Sequence, residues 1–108
     1  MAERYKLVVF VPVEHAEAVR EALHAAGGGT LGNYSHVSFS SRGVGRFKPE
    51  KGSRPAIGEV GKIQEVEEER IEILLDKDVV GNVIAVMKRV HPYEEVAYDL
   101  YALETWER

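Results

Sequence analysis

The sequence predicts an α+β domain with four strands in one antiparallel sheet and two helices on one face of that sheet. Its 108 residues are the size of a single domain, so we expect residues 1–108 to fold as one unit. Hydrophobic residues make up 44% and charged residues 30% of the chain, which is typical of a globular protein. Segments typical of strands and helices follow one another in the order β-α-β-β-α-β.

The first half of the chain predicts a strand, a helix and a second strand. Residues 5–12 are rich in β-branched and aromatic side chains and end at a proline, which indicates a buried strand. Residues 14–26 predict a helix, because three glycines follow them and apolar residues recur at helical spacing, namely Ala18, Val19, Ala22, Leu23 and Ala26. Residues 34–41 alternate between two sides and predict the second strand.

A long loop is predicted at the middle of the chain. Residues 43–61 contain five glycines and two prolines, so we expect no regular element there. Loops of this length are uncommon inside compact domains and are often functional.

The second half predicts a strand, a helix and a last strand. Residues 62–75 are assigned to a strand, although their glutamates favour a helix. Asp78 is expected to cap a helix over residues 79–90, whose apolar stripe is Val79, Val80, Val83, Ile84, Met87 and Val90. His91 and Pro92 end that helix, and residues 95–103 predict the final strand.

This order of elements is the split βαβ, or ferredoxin-like, arrangement. Two helices cover only one face of such a sheet, and the first and last strands offer apolar side chains in both directions. We therefore expect the chain to self-associate through the sheet, with a closed cyclic assembly removing the strand edges.

Charge and composition exclude several classes of function. A net charge of -4 argues against nucleic acid as the main partner. The longest apolar run, residues 7–13, is far too short to cross a membrane, and the first residues lack a signal-peptide pattern, so a cytoplasmic location is expected. The absence of cysteine excludes disulfides and thiol catalysis, so any metal would be held by His, Asp or Glu.

Basic residues concentrate in and beside the predicted loop. Residues 42–62 hold six basic and two acidic residues, whereas the rest of the chain is acidic. The predicted loop is therefore a candidate for binding an anion or a protein partner, through Arg42, Arg46, Lys48, Lys51 and Arg54. The alternative is an ordinary solvated loop.

A second candidate site lies at the turn after the second predicted helix. This turn brings an imidazole, a phenol and two carboxylates close together in the chain, and imidazole with carboxylate suits a divalent transition metal. The proposed ligands are His36, His91, Glu94 and Glu95. Alternatively, His91 caps the preceding helix while Tyr93 packs against the protein. The other two histidines, His15 and His24, are expected on the surface of the first helix.

Several motifs together resemble one known family. They are Gly32-Asn33-Tyr34-Ser35-His36, Gly43-Val44-Gly45-Arg46-Phe47-Lys48-Pro49, Pro55-Ala56-Ile57-Gly58-Glu59-Val60-Gly61 and His91-Pro92-Tyr93-Glu94-Glu95. The chain resembles the small domain inserted in Nif-three-like proteins, also called dinuclear metal centre proteins or GTP cyclohydrolase I type 2 homologs, and especially its stand-alone, YqfO-like form. That domain is similar in fold to CutA and PII proteins. The resemblance implies a trimer, with residues 43–61 at the position of the ligand- and partner-responsive loop of PII proteins.

The resemblance also bears on function. Full-length members resembling this family bind two metal ions through segments that flank the insert, and those segments are not among these residues, so catalysis is not expected. We expect a small oligomeric binding or regulatory protein that takes a divalent metal ion or a small anion at clefts between subunits. The alternatives are a protein-interaction module working through residues 43–61 and, third, a metal-dependent hydrolase.

Overall fold

A computed structural model describes residues 3–104 and shows the predicted α+β fold. The elements are β1 Arg4–Pro12, α1 Val13–Ala25, β2 Ser38–Phe47, β3 Gln64–Asp76, α2 Val80–Val90 and β4 Tyr98–Leu103, with a 3₁₀ turn, Lys77–Val79, leading into α2. The sheet order is β2-β3-β1-β4, and every neighbouring pair is antiparallel. Among the described residues, no helix has the length and apolar character needed to cross a bilayer.

The core lies between the helices and one face of the sheet. In an antiparallel pair, directly opposed residues share a face, and Leu7 and Val9 of β1 oppose Ile73 and Ile71 of β3. The helices cover this face with buried side chains that recur at helical spacing, namely Ala16, Val19 and Leu23 in α1 and Val83 and Met87 in α2. The predicted stripes therefore hold except at Ala18 and Val90, which are exposed.

The other face of the sheet mixes apolar and charged side chains. Phe39 is 66% exposed there, yet its β3 partner Glu72 forms an ion pair with Lys6 at 3.6 Å. In β4 the residue that shares this face with Val8 is Asp99. Tyr101 of β4 lies on this face too, so β4 has apolar side chains on both faces, as expected, but Asp99 interrupts them on the open face.

The second strand begins and ends later than predicted. Residues 34–37 turn instead of extending, because His36 has a φ of 59° and Leu31 and Tyr34 exchange backbone hydrogen bonds at 2.9 Å. Residues 43–47, expected in a loop, pair with the first five residues of β3 and belong to β2. Glycine weakens a strand but does not prevent one when a long neighbour supplies the hydrogen bonds.

Two smaller predictions near α2 also fail. Asp78 lies within the 3₁₀ turn, and among the described residues no side-chain hydrogen bond caps the start of α2. The last strand begins at Tyr98 and not at residue 95, and residues 91–97 form an irregular segment between α2 and β4. This segment forms one wall of the candidate site.

Candidate functional site

A cavity of about 630 Å³ lies at the end of the β2–β3 hairpin, on the face of the sheet opposite the helices. This volume is within the usual range of small-molecule sites. The connection between β2 and β3 forms one wall, and the segment after α2 forms the other. Most of the lining is apolar: Phe10, Gly43, Val44, Gly45, Phe47, Pro49, Pro55, Ala56, Ile57 and Ala97.

His91 fixes the position of the segment after α2. Pro92 pushes His91 into an extended backbone conformation, which ends the helix and turns the imidazole inward. Its Nε2–H donates to the carbonyl of Phe10 at 2.7 Å, and its Nδ1 accepts from the Tyr93 backbone N–H at 3.1 Å. A carbonyl can only accept and an amide N–H can only donate, so this geometry requires a neutral ring. Burial lowers the pKa of His91 accordingly.

Tyr93 is held against the cavity by Glu68. The phenol donates to Glu68 Oε2 at 3.0 Å, and its ring meets that of Phe47 edge-on at 5.7 Å between centroids. Burial raises the pKa of Tyr93 well above its usual value, so the phenol stays neutral and keeps donating. The buried Glu68 carboxylate fits beneath β2 because Gly45 has no side chain: a Cβ there would overlap Glu68.

Arg70 is an exposed cation of the cavity lining, on the same face of the sheet as Phe10. Its guanidinium carbon lies 5.7 Å from the centroid of the Phe10 ring, and its Nε donates to Glu72 at 3.3 Å. Within residues 3–104, its two terminal nitrogens have no hydrogen-bond partner. Arginine presents these nitrogens as a planar fork that suits carboxylate, phosphate or sulfonate groups. Arg70 was not predicted as a site residue, because it lies in a glutamate-rich strand away from the basic cluster.

The predicted basic residues occupy several places. Arg42 and Arg46 belong to β2 and contribute to the cavity edge, but strand alternation gives them the opposite face from Arg70. Arg46 forms an exposed ion pair with Glu65 at 3.5 Å. The other three follow β2 and are exposed: Lys48, which lies 3.6 Å from Glu50, and Lys51 and Arg54.

The structure does not gather the four predicted metal ligands within one chain. Both ring nitrogens of His91 are bonded to protein groups, and Glu94 accepts a hydrogen bond from the Arg54 backbone N–H at 3.0 Å. Glu95 is exposed at the cavity edge, whereas the ring of His36 lies near that of His24, away from the cavity. In the described part of the chain, no three His, Asp or Glu side chains form a group that could hold a metal.

Comparison with known proteins shows which sequences and solved structures this chain resembles. No protein-family model matches the chain. The GTP cyclohydrolase 1 type 2 homolog of Halalkalibacterium halodurans is 54% identical over 99 residues, and its Bacillus subtilis counterpart is equally similar. A solved structure of a Bacillus cereus protein related to NIF3 matches 96% of the chain with a TM-score of 0.83 and 50% identity. The chain is a homologue of one segment of the Nif3-like proteins.

This Nif3-like segment spans 27% of the Halalkalibacterium relative and 26% of the Bacillus cereus chain. Other solved structures share its fold at low identity. A CutA protein from Archaeoglobus fulgidus aligns over 97% of this chain and 88% of its own, with a TM-score of 0.68 and 15% identity. Bacillus subtilis GlnK, solved as an ATP complex, aligns over 94% of this chain and 83% of its own, with a TM-score of 0.60 and 16% identity. The fold is therefore of the CutA and PII type.

Proposed function

We propose that this Nif3-like segment is a binding module for a small ligand that combines an anionic group with an apolar or aromatic body. The observation that supports the proposal is the cavity itself, in which the terminal nitrogens of Arg70, unpaired among residues 3–104, lie beside largely apolar walls. Apolar walls with a few placed polar groups are the usual composition of small-molecule sites. The anionic group would lie on Arg70, and the apolar body would lie between Phe47, Tyr93 and the connection after β2.

The side chains that shape the cavity are positioned before any ligand arrives. His91 links β1 to the turn, and Tyr93 is bonded to Glu68 and packed on Phe47. A cavity whose walls are already held by hydrogen bonds loses little conformational entropy when it binds a ligand.

The test uses anilinonaphthalene sulfonate, an anionic aromatic probe whose fluorescence rises in apolar surroundings. We expect saturable binding at one site, about tenfold weaker in Arg70→Gln because a charge-assisted hydrogen bond is lost. Arg89→Gln, a change at an exposed arginine of α2, is the matched control and should bind like the unaltered chain. Nucleotides, acyl phosphates and aromatic carboxylates are then ranked by how well they displace the probe.

A second variant tests the location of the ligand. A Cβ at Gly43 would have no atom within 4 Å, and Gly43 shares a face with Glu68, so Gly43→Leu places its Cβ without a clash and adds a branched side chain to the cavity lining. Gly81→Leu, also in open space but on α2, is its control. Probe binding that survives Gly43→Leu and Arg70→Gln would refute the proposal.

We also propose that the chain forms a homo-oligomer, a trimer in solution, through the face of the sheet opposite the helices. Phe39 and Tyr101 support this, because they are 66% and 49% exposed on that face. Light scattering coupled to size-exclusion chromatography measures the mass directly. A monomer at micromolar concentration would exclude the proposed assembly.

A protein-interaction role is the second candidate function, and exposed apolar residues near the end of the hairpin favour it. Val44, Val60 and Ile63 are 65%, 50% and 55% exposed. A photo-crosslinking amino acid at Ile63 should capture a protein in the source cells, whereas the same group at Lys88 on α2 should not. Equal yields at the two positions would reject this role.

A further inference from the structure

Two histidines from different elements meet beside the connection between α1 and β2. The ring centroids of His24 and His36 lie 4.9 Å apart, and the ring planes are inclined by 43°. His24 belongs to the last turn of α1, whereas His36 belongs to the segment just before β2. The contact is separate from the cavity described above, which neither residue lines.

The two imidazoles are oriented by hydrogen bonds at Nδ1. The Nδ1–H of His24 donates to the carbonyl of Gly28 at 3.1 Å, which leaves its Nε2 with a free lone pair. The Nδ1 of His36 lies 3.0 Å from the hydroxyl oxygen of Ser35. Histidines that ligate metals usually use one nitrogen for a backbone or polar partner, which fixes the tautomer, and the other for the metal.

The surrounding backbone holds both rings in place. Gly29 packs directly against His24, since a Cβ at Gly29 would lie 2.6 Å from two atoms of the ring. His36 has a φ of 59°, a left-handed conformation that costs free energy in a residue other than glycine. The backbone bond from Val37 N–H to the Gly29 carbonyl, at 2.9 Å, ties the two segments together.

The spacing of the rings suits two nitrogens on one metal ion. With metal–nitrogen distances of about 2.0 Å, the ion lies about 3.2 Å from each ring centroid, and ligand angles of about 90° to 109° place the centroids about 4.5 to 5.2 Å apart. The observed separation of 4.9 Å falls within that interval. We propose that His24 and His36 form a two-imidazole site for a divalent first-row transition metal such as Zn²⁺ or Ni²⁺.

Water or an outside ligand would complete the coordination, because the described residues add no third His, Asp or Glu to the pair. Imidazole nitrogen favours zinc, nickel and copper over magnesium and calcium, which prefer oxygen. The pair differs from the ligand set expected from the sequence, which joined His36 to His91, Glu94 and Glu95. It is also independent of the proposed cavity ligand, so either proposal can fail alone.

The experiment is calorimetric titration of the tag-free chain with zinc chloride. We expect one zinc per chain, an affinity at least tenfold lower in both His24→Gln and His36→Gln, and no binding of magnesium. His15→Gln is the matched control, because it removes an exposed histidine from the same helix as His24 and should leave zinc binding unchanged.

Thermal unfolding followed by circular dichroism verifies that each variant is folded. If His24→Gln does not fold, His36→Gln decides, because the ring of His36 is exposed. Unchanged zinc affinity in folded His36→Gln would overturn the proposal. An equal loss of affinity in His15→Gln, or binding of magnesium as tight as that of zinc, would also overturn it.

Discussion

Gly45→Ala tests whether Glu68 and Tyr93 hold the wall of the cavity. A Cβ at Gly45 would come within 2.8 Å of both carboxylate oxygens of Glu68, far inside van der Waals contact. The carboxylate is the end of a flexible side chain, so it would move rather than the backbone. Movement breaks the hydrogen bond from the Tyr93 hydroxyl, which is 3.0 Å long.

The magnitude follows from two opposed effects. Losing a hydrogen bond to a charged group costs about 1.5–3 kcal/mol, whereas replacing glycine by alanine stabilises by about 0.4–1 kcal/mol through the unfolded chain. The net expectation is a loss of about 1–2 kcal/mol in the free energy of unfolding. For a domain of this size, that lowers the melting temperature by roughly 4–15 °C.

Urea unfolding followed by circular dichroism measures this loss. Gly43→Ala is the control, because a Cβ there meets no atom within 4 Å in the same strand, and it should be neutral or slightly stabilising. In a Tyr93→Phe background, Gly45→Ala should cost much less, because the hydrogen bond is already absent. Equal stability of the two alanine variants, or an undiminished cost in the Tyr93→Phe background, would show that the bond between Glu68 and Tyr93 does not hold this wall.

Three further predictions concern pH, an ion pair and the open face of the sheet. Because burial lowers the pKa of His91 in the folded state, the unfolded chain takes up the proton first as pH falls below about 6.5. The free energy of unfolding should therefore decrease toward lower pH, by up to about 1.4 kcal/mol per pH unit, until the pH reaches the folded-state pKa. Urea titrations at several pH values should show a smaller decrease in His91→Asn. Arg20→Gln should lower the free energy of unfolding by about 1–2 kcal/mol in the same assay, because the ion pair of Arg20 with Glu69 is 2.9 Å long and mostly shielded from solvent. Lys62→Gln, which removes an exposed ion pair, should change the stability little. Phe39→Asp should lower the mass measured by light scattering while leaving the circular dichroism spectrum intact, and an unchanged mass would place the assembly contact elsewhere.

Local sequence patterns correctly predicted the elements whose apolar residues follow a clear strand or helix spacing. β1 and β3 follow from apolar runs and alternation, and both helices follow from their stripes, because those patterns depend only on neighbours in the chain. The start of β2 was wrong because residues 34–37 turn through backbone hydrogen bonds within the α1–β2 connection, between Leu31 and Tyr34 and from Val37 to Gly29, which the alternation of side chains does not reveal. Its end was wrong because the hydrogen bonds offered by β3 outweigh the cost of Gly43 and Gly45 in a strand.

The candidate sites depended more strongly on tertiary contacts. The turn at His91 was recognised from its residues, but the bond from His91 to the Phe10 carbonyl joins residues 81 positions apart, and no local pattern predicts it. Arg70 gains its place in the cavity only when β1, β2 and β3 align. His24 was assigned to an ordinary helix surface, because its contact with His36 exists only once the chain has turned.

The most direct test of the account is a titration of the ¹⁵N-labelled chain with anilinonaphthalene sulfonate, followed by backbone-amide NMR. We expect saturable shifts to concentrate at residues lining the cavity, especially Gly43, Gly45 and Ala97, while Gly81 on α2 stays unchanged. Shifts that instead concentrate on the two helices, or an absence of saturable shifts at the glycines of β2, would contradict the central claim that this cavity is the binding site.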